Sequence, residues 1–196
     1  MDQKFALKYR RVLDIISDTA ACAQNRLILV GGTALAVFYL KHRASVDLDF
    51  VPLEGDETKL KEMMKGCLTK KGYRTSTARY HNQFVVQFDD TSIKIEIFYP
   101  TNKIKKIQSF DVAGVSISVA SLEDIFEMKL EAYANRKAVR DLFDIIFILK
   151  HLGMNYDSVK DLLAKYGHPN DPEEIRDYVI SEDDYKFFNE VVKNAS

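Results

Sequence analysis

The chain has 196 residues, of which 46% are apolar and 29% charged, with a formal net charge of −1. That length and apolar share suit one domain, or a compact domain with a helical appendage, around a sizeable core. The near balance of charge excludes a protein that works by coating nucleic acid, because such proteins are strongly basic. Nucleic-acid contact would have to be local, at Lys70, Lys71 and Arg74 or at Lys103, Lys105 and Lys106, and each cluster also reads as plain solvated surface.

The two cysteines, Cys22 and Cys67, show no CxxC and no Cys/His zinc spacing, so they make neither a disulfide framework nor a metal site. Met1 to Arg11 alternates charged with apolar residues and is not a signal peptide. No stretch approaches the ~20 apolar residues of a membrane helix. The expected compartment is a reducing cytoplasm, with no membrane partner.

In chain order, residues 4 to 23 carry Val12, Leu13, Ile15 and Ile16 at helical spacing. Arg26 to Val30 is a short buried strand, Gly31-Gly32 a turn, and Thr33 to Lys41 a helix that Thr33 caps. Ser45 to Val51 alternates as a strand, and Asp56 to Lys71 is an amphipathic helix stopped by Gly72. A strand-rich block follows at Tyr73 to Tyr80, Gln83 to Phe88, Ser92 to Tyr99 and Val115 to Val119, with Asp89-Asp90-Thr91 as a hairpin turn. From Ser121 the chain is helical, over 122–136, 138–151, 157–166, 172–179 and 182–193. The class is α+β, with a mixed α/β region over 1–120 and helices over 121–196.

Three features carry chemistry. Gly31-Gly32-Thr33 follows a buried strand and opens a helix, where glycines let a phosphate approach the backbone and free N–H groups meet it. Alone, the pair is an ordinary tight turn. Asp47-Leu48-Asp49 puts two carboxylates on one side of a strand, with Val46, Leu48 and Phe50 on the other. Two parallel carboxylates repel, and a divalent cation between them relieves this; Mg²⁺ suits a few carboxylates plus substrate phosphates. Glu96, between Ile95 and Ile97, adds a third acid, and Lys94 shares its face as a partner for an ion pair.

In this order, the turn, the DxD strand and the later acid resemble the polymerase-β-like nucleotidyltransferases. GGTAL at 31–35 and Arg43-Ala44-Ser45-Val46-Asp47-Leu48-Asp49-Phe50 are similar to the AbiEii-type members, many of them bacterial toxins. So is the later helical set of Asp124, Lys129 and Arg140-Asp141-Leu142-Phe143-Asp144. The resemblance implies a small mixed sheet of that superfamily flanked by helices, then a helical region that completes the active site.

It also implies roles. Gly31, Gly32 and Thr33 hold the β- and γ-phosphates of a nucleoside triphosphate, with Arg43 and Ser45 as further nucleotide contacts. Asp47 and Asp49 ligate Mg²⁺ (or Mn²⁺), and Glu96 is the third metal carboxylate and the base. Glu96 reaches farther than an Asp there. Lys129 neutralises triphosphate charge, and Asp141 or Asp144 orients it or the acceptor. Locally, Arg43 and Ser45 read equally as loop-positioning residues, and Arg140 with Asp144 as an i, i+4 helix pair. The implied reaction moves a nucleoside monophosphate to a tRNA end or a protein hydroxyl, with an antitoxin as partner. The alternatives are an aminoglycoside-like small-molecule acceptor, or a nucleotide-binding module without turnover. His42, His81, His151 and His168 match no motif and read as structural or exposed.

Overall fold

Four consecutive apolar residues cannot alternate between core and solvent, so a strand made of them needs cover on both faces. The computed structural model, which describes residues 3–153, 155–170 and 172–195, buries all of Leu27–Val30 (β1). Around it lie β2 (Leu48–Pro52), β3 (Arg74–Thr77), β4 (Gln83–Gln87), β5 (Ser92–Ile97), β6 (Ile107–Val112) and β7 (Val115–Ala120). The sheet order is β3-β4-β5-β2-β1-β7-β6. Strand β1 pairs antiparallel with β2 and parallel with β7, and β2 pairs parallel with β5. This is the expected mixed sheet. Met1 and Asp2, where the segment read for a signal peptide begins, and Ser196, at the end of the helical region, lie outside the described residues.

The chain divides into two compact units. The first, Met1–Ala34 with Val46–Ser121, holds the sheet. Its helices α1 (Gln3–Ala23) and α3 (Glu57–Lys70) pack on each other and on the sheet, burying Val12, Ile15 and Ile16 from one and Leu60, Met64 and Leu68 from the other. Each such side chain contributes about 1.5–3 kcal/mol on burial. Between β1 and β2 the short α2 is Gly31–Ala34. Helix α3 starts at Asp56, whose carboxylate accepts the Lys59 amide hydrogen at 2.9 Å and caps the helix.

Cys22 on α1 and Cys67 on α3 form a disulfide, with Cα atoms 5.8 Å apart across 45 residues of chain. This corrects the reading of two isolated thiols: their helices pack together, and no local spacing records that. A second correction concerns 33–41. The α-helical turn of α2 passes into a wider π-helical turn, Leu35–Tyr39, and Lys41 takes a left-handed φ of 52° that ends it. A third is β6, which the sequence reading lacks. It pairs with β7 through Ala113-Gly114, whose φ values of 52° and 81° make a tight hairpin turn without the usual Asn-Gly.

The second unit, Leu35–Ser45 with Leu122–Ser196, is helical. It contains α4 (Leu122–Arg136), α5 (Val139–His151), α6 (Asp157–Tyr166) and α7 (Glu182–Ala195). A 3₁₀ turn at Pro172–Asp177 replaces the helix expected at 172–179. Helix α5 is apolar nearly all round and forms the centre, as such helices do. Phe143 stacks on Phe147 at 4.5 Å and leans on Phe188 at 5.1 Å. Among the described residues no helix is long and apolar enough to cross a membrane.

Candidate active site

In the first unit, alternation along β2 sends Leu48 and Phe50 into the core, with Ile95 and Ile97 of β5 beside them. The same alternation leaves Asp49 on the other face, directly opposite Glu96 of β5 and Val30 of β1. Gly31, the residue after Val30, then folds over Asp49. Its φ is +75°, and a Cβ built on it would lie 2.5 Å from Asp49 Oδ2. Only glycine takes this φ without strain and leaves the carboxylate its space. Thr33 is fully buried, and its hydroxyl donates to the Asp47 carbonyl, fastening the glycine turn to the start of the DxD strand.

Each acid has partners. Lys94 Nζ lies 3.3 Å from Asp47 Oδ2, with both side chains partly exposed. It is therefore Asp47, and not Glu96 on its own strand, that Lys94 pairs with. Glu96 accepts from Gln83 Nε2 at 2.8 Å and Asn82 Nδ2 at 3.2 Å. Two amide donors from one chain segment fix the direction of that carboxylate. No motif marks either amide; the signal for them is the β4–β5 hairpin register, which sets Gln83 opposite Glu96.

Among the described residues no group of three or more His, Cys, Asp or Glu side chains is gathered closely enough to hold a metal ion by itself. A Mg²⁺-like ion does not require one, since it takes one or two carboxylates and completes its shell with water and substrate phosphate. The donor set fits that pattern. Asp49 has the space beside Gly31, and the partly exposed Asp47 already attracts a cation, the ammonium of Lys94.

In the second unit, Arg43, Lys129, Asp141 and Asp144 form a buried ionic network. Arg43 grips Asp144 with two arms, Nε to Oδ1 at 2.6 Å and Nη2 to Oδ2 at 2.7 Å. Its remaining Nη1 donates to the Ala44 carbonyl. Lys129 Nζ lies 2.7 Å from Asp144 Oδ2 and 2.9 Å from Asp141 Oδ1. Arg136 clasps Asp141 with Nε at 2.6 Å and Nη2 at 2.8 Å. Burial alone would raise the Asp144 carboxyl, but the charges of Arg43 and Lys129 hold it well below the usual carboxylate range. Asp141 is lowered in the same way, against burial, by Arg136 and Lys129. Burial alone would lower Arg43, but Asp144 raises it.

His42 belongs to this network and was not anticipated, because no motif marks it. Its ring is buried, stacks on Phe143 at 5.5 Å and meets Asp144 Oδ1 through Nε2 at 2.7 Å. Burial lowers its pKa, against the opposing pull of Asp144. The ring is therefore neutral and donates from Nε2, and its buried Nδ1 has no hydrogen-bond partner among the described residues.

The expected Arg140–Asp144 pair and the basic cluster at 70–74 fall elsewhere. Arg140 does not meet Asp144; it lies over the Tyr178 ring at 5.2 Å and 3.9 Å from Glu174. Lys71 pairs with Asp18 at 2.7 Å, and Arg74 pairs with Asp89. Ser45 is half-buried in the short segment before Asp47.

The fold has known counterparts. JHP933 from Helicobacter pylori is 20% identical, with a TM-score of 0.64 over 100% of this chain and 91% of that one. A putative nucleotidyltransferase from H. pylori is also 20% identical, at 0.57 over 100% and 97%. An antigenic nucleotidyltransferase-like protein from Paracoccidioides brasiliensis is 14% identical, at 0.50 over 91% and 92%. These likenesses establish the fold. No curated protein sequence matches the chain. Residues 17–194 match the family model described as nucleotidyl transferase AbiEii toxin, type IV TA system. The chain therefore belongs to the AbiEii family and is a nucleotidyltransferase.

Proposed function

We propose that the face formed by Asp47, Asp49 and Glu96 is the catalytic centre, and that it moves a nucleoside monophosphate from a nucleoside triphosphate to a hydroxyl of a macromolecular acceptor. One observation carries this reading: Gly31 is turned back over Asp49, which stands in register with Glu96. A helix start that needs glycine, and that abuts a carboxylate pair, is built for phosphate held beside a cation.

Asp47, Asp49 and Glu96 are the residues that would hold Mg²⁺ or Mn²⁺, and such an ion would neutralise phosphate charge. The backbone amides of Gly31, Gly32 and Thr33 receive the β- and γ-phosphates. Glu96, aimed by Gln83 and Asn82, takes the proton of the acceptor hydroxyl. The acceptor oxygen bonds to the α-phosphorus, the bond from that phosphorus to the β-bridging oxygen breaks, and pyrophosphate leaves. Arg43, Asp144, Asp141 and Lys129 act from their own unit. Arg43 and the two aspartates hold Lys129 as a fixed cation within that unit.

The toxin description of the family supports an acceptor such as a tRNA end or a protein hydroxyl, and an antitoxin partner. Incubation with each α-³²P nucleoside triphosphate, Mg²⁺ and total RNA, followed on a denaturing gel, tests this. Label entering RNA with wild type and not with Asp47→Ala identifies an RNA acceptor. Label entering protein instead moves the acceptor to a protein hydroxyl. Label remaining as triphosphate in both mixtures contradicts a macromolecular acceptor.

A further inference from the structure

The acidic face carries one cation of its own. Along the parallel register, Leu48 opposes Ile95 and Asp49 opposes Glu96. One step back along that register lie Asp47 and Lys94, and their charged atoms are 3.3 Å apart. The Lys94 ammonium thus pairs with the acid that precedes β2, one residue along each chain from the register pair Leu48 and Ile95. Both members of the pair reach solvent, Asp47 at 48% exposed and Lys94 at 37%.

An exposed ion pair of this kind contributes little stability, so it does not hold the fold. It does decide which cation Asp47 meets first. Without the ammonium, Asp47 loses the cation that offsets its charge. With it, the pair is weak enough for a divalent ion to displace it. The displaced ammonium sits on a long flexible stem on the same face, beside the position of an incoming polyphosphate, and as a compact point charge it suits a phosphate oxygen.

We propose that Lys94 is an exchangeable counter-cation of the active site: it neutralises Asp47 before metal arrives, and it passes to the polyphosphate when the metal–nucleotide complex takes Asp47. This rests on the reading of Asp47 as a metal ligand.

Two binding measurements on the full-length protein test it, neither of which needs turnover. Mn²⁺ binding alone is read by the loss of its free EPR signal, and binding of inorganic triphosphate in Mg²⁺ is read by calorimetry. Lys94→Met is expected to bind Mn²⁺ about fivefold more tightly, since removing a unit charge at about 4 Å in a water-like dielectric changes affinity by that order. The same variant is expected to bind Mg²⁺–triphosphate about fivefold more weakly. Lys94→Arg, which keeps the charge, is expected to match wild type in both, and the thermal melts of all three proteins should coincide.

Opposite shifts in the two affinities, with rescue by arginine, are the expected result. If Lys94→Met leaves both affinities unchanged while Asp47→Asn loses Mn²⁺, the exchange is overturned and the metal reading stands. If only one affinity moves, or both move in the same direction, the exchange is likewise overturned. If Asp47→Asn binds Mn²⁺ as wild type does, the metal reading itself fails, and the exchange fails with it.

Discussion

Gly31 and Asp49 share one small volume: the place where a Cβ on Gly31 would sit is 2.5 Å from Asp49 Oδ2. The chain therefore ties the identity of a turn residue to the position of a carboxylate one strand away. Gly31→Ala must pay for a left-handed φ and also push the Asp49 carboxylate aside. The backbone term alone is about 1–2 kcal/mol. We expect Gly31→Ala to lower stability by about that much and to lose transfer activity and Mn²⁺ affinity, read by urea melts, by transfer of labelled nucleotide and by Mn²⁺ titration. Unchanged Mn²⁺ affinity in a folded Gly31→Ala protein would show that the turn does not shape the metal face.

Asp144 presents the opposite case, a carboxylate enclosed by cations. It is fully buried and takes Arg43, His42 and Lys129. Removing one partner from a buried ionic network leaves the others desolvated and unpaired, at about 3–5 kcal/mol. Asp144→Asn is therefore expected to destabilise by that amount in chemical denaturation. Lys129→Met leaves Arg43 on Asp144 and Arg136 on Asp141, so it should cost far less stability, about 1–2 kcal/mol. The role that the family resemblance implies for Lys129 predicts that Lys129→Met still loses roughly 10²-fold in transfer rate. A Lys129→Met protein that is as active as wild type would confine the lysine to scaffolding.

The network also sets a pH dependence. Burial depresses the His42 pKa below its ordinary 6.5, so the unfolded chain binds that proton more readily than the folded one. Stability should therefore begin to fall as pH drops below about 6.5. Asp144 and Asp141 are held below their ordinary 3.8, so their contribution is present above that value and is lost as pH falls below it. We expect denaturation midpoints to decline in two stages on acidification, and His42→Gln to remove the upper one. A midpoint that is flat from pH 7 to 5 in wild type would contradict a neutral buried His42.

How much of this could be read from the sequence depended on whether local geometry decided the matter. Asp47 and Asp49 were legible because strand alternation alone puts i and i+2 on one side. Gly31 was legible only together with the DxD strand and the later acid, because a double glycine alone is an ordinary tight turn. The partners of these residues were not legible. Lys94 turns to Asp47 and away from Glu96 because cross-strand register, not position on β5, brings charges together. Asp144 is taken by Arg43, 101 residues away, although Arg140 stands one helical turn before it. A dry, two-armed contact outweighs an exposed helical pair. The Cys22–Cys67 bond follows from two helices packing 45 residues apart, and β6 from a turn at Ala113-Gly114 that lacks the usual residues.

The most direct test of the active-site assignment uses Asp49→Asn, which keeps the size of the side chain beside Gly31 and removes its charge. Asp49 stands on the half-exposed face of the sheet, so the substitution should leave the thermal melt within about 0.5 kcal/mol of wild type. Transfer of an α-³²P nucleotide to the acceptor fraction, measured beside that melt, should fall by at least about 10³-fold. Transfer at the wild-type rate by a folded Asp49→Asn protein would place the chemistry elsewhere in the molecule.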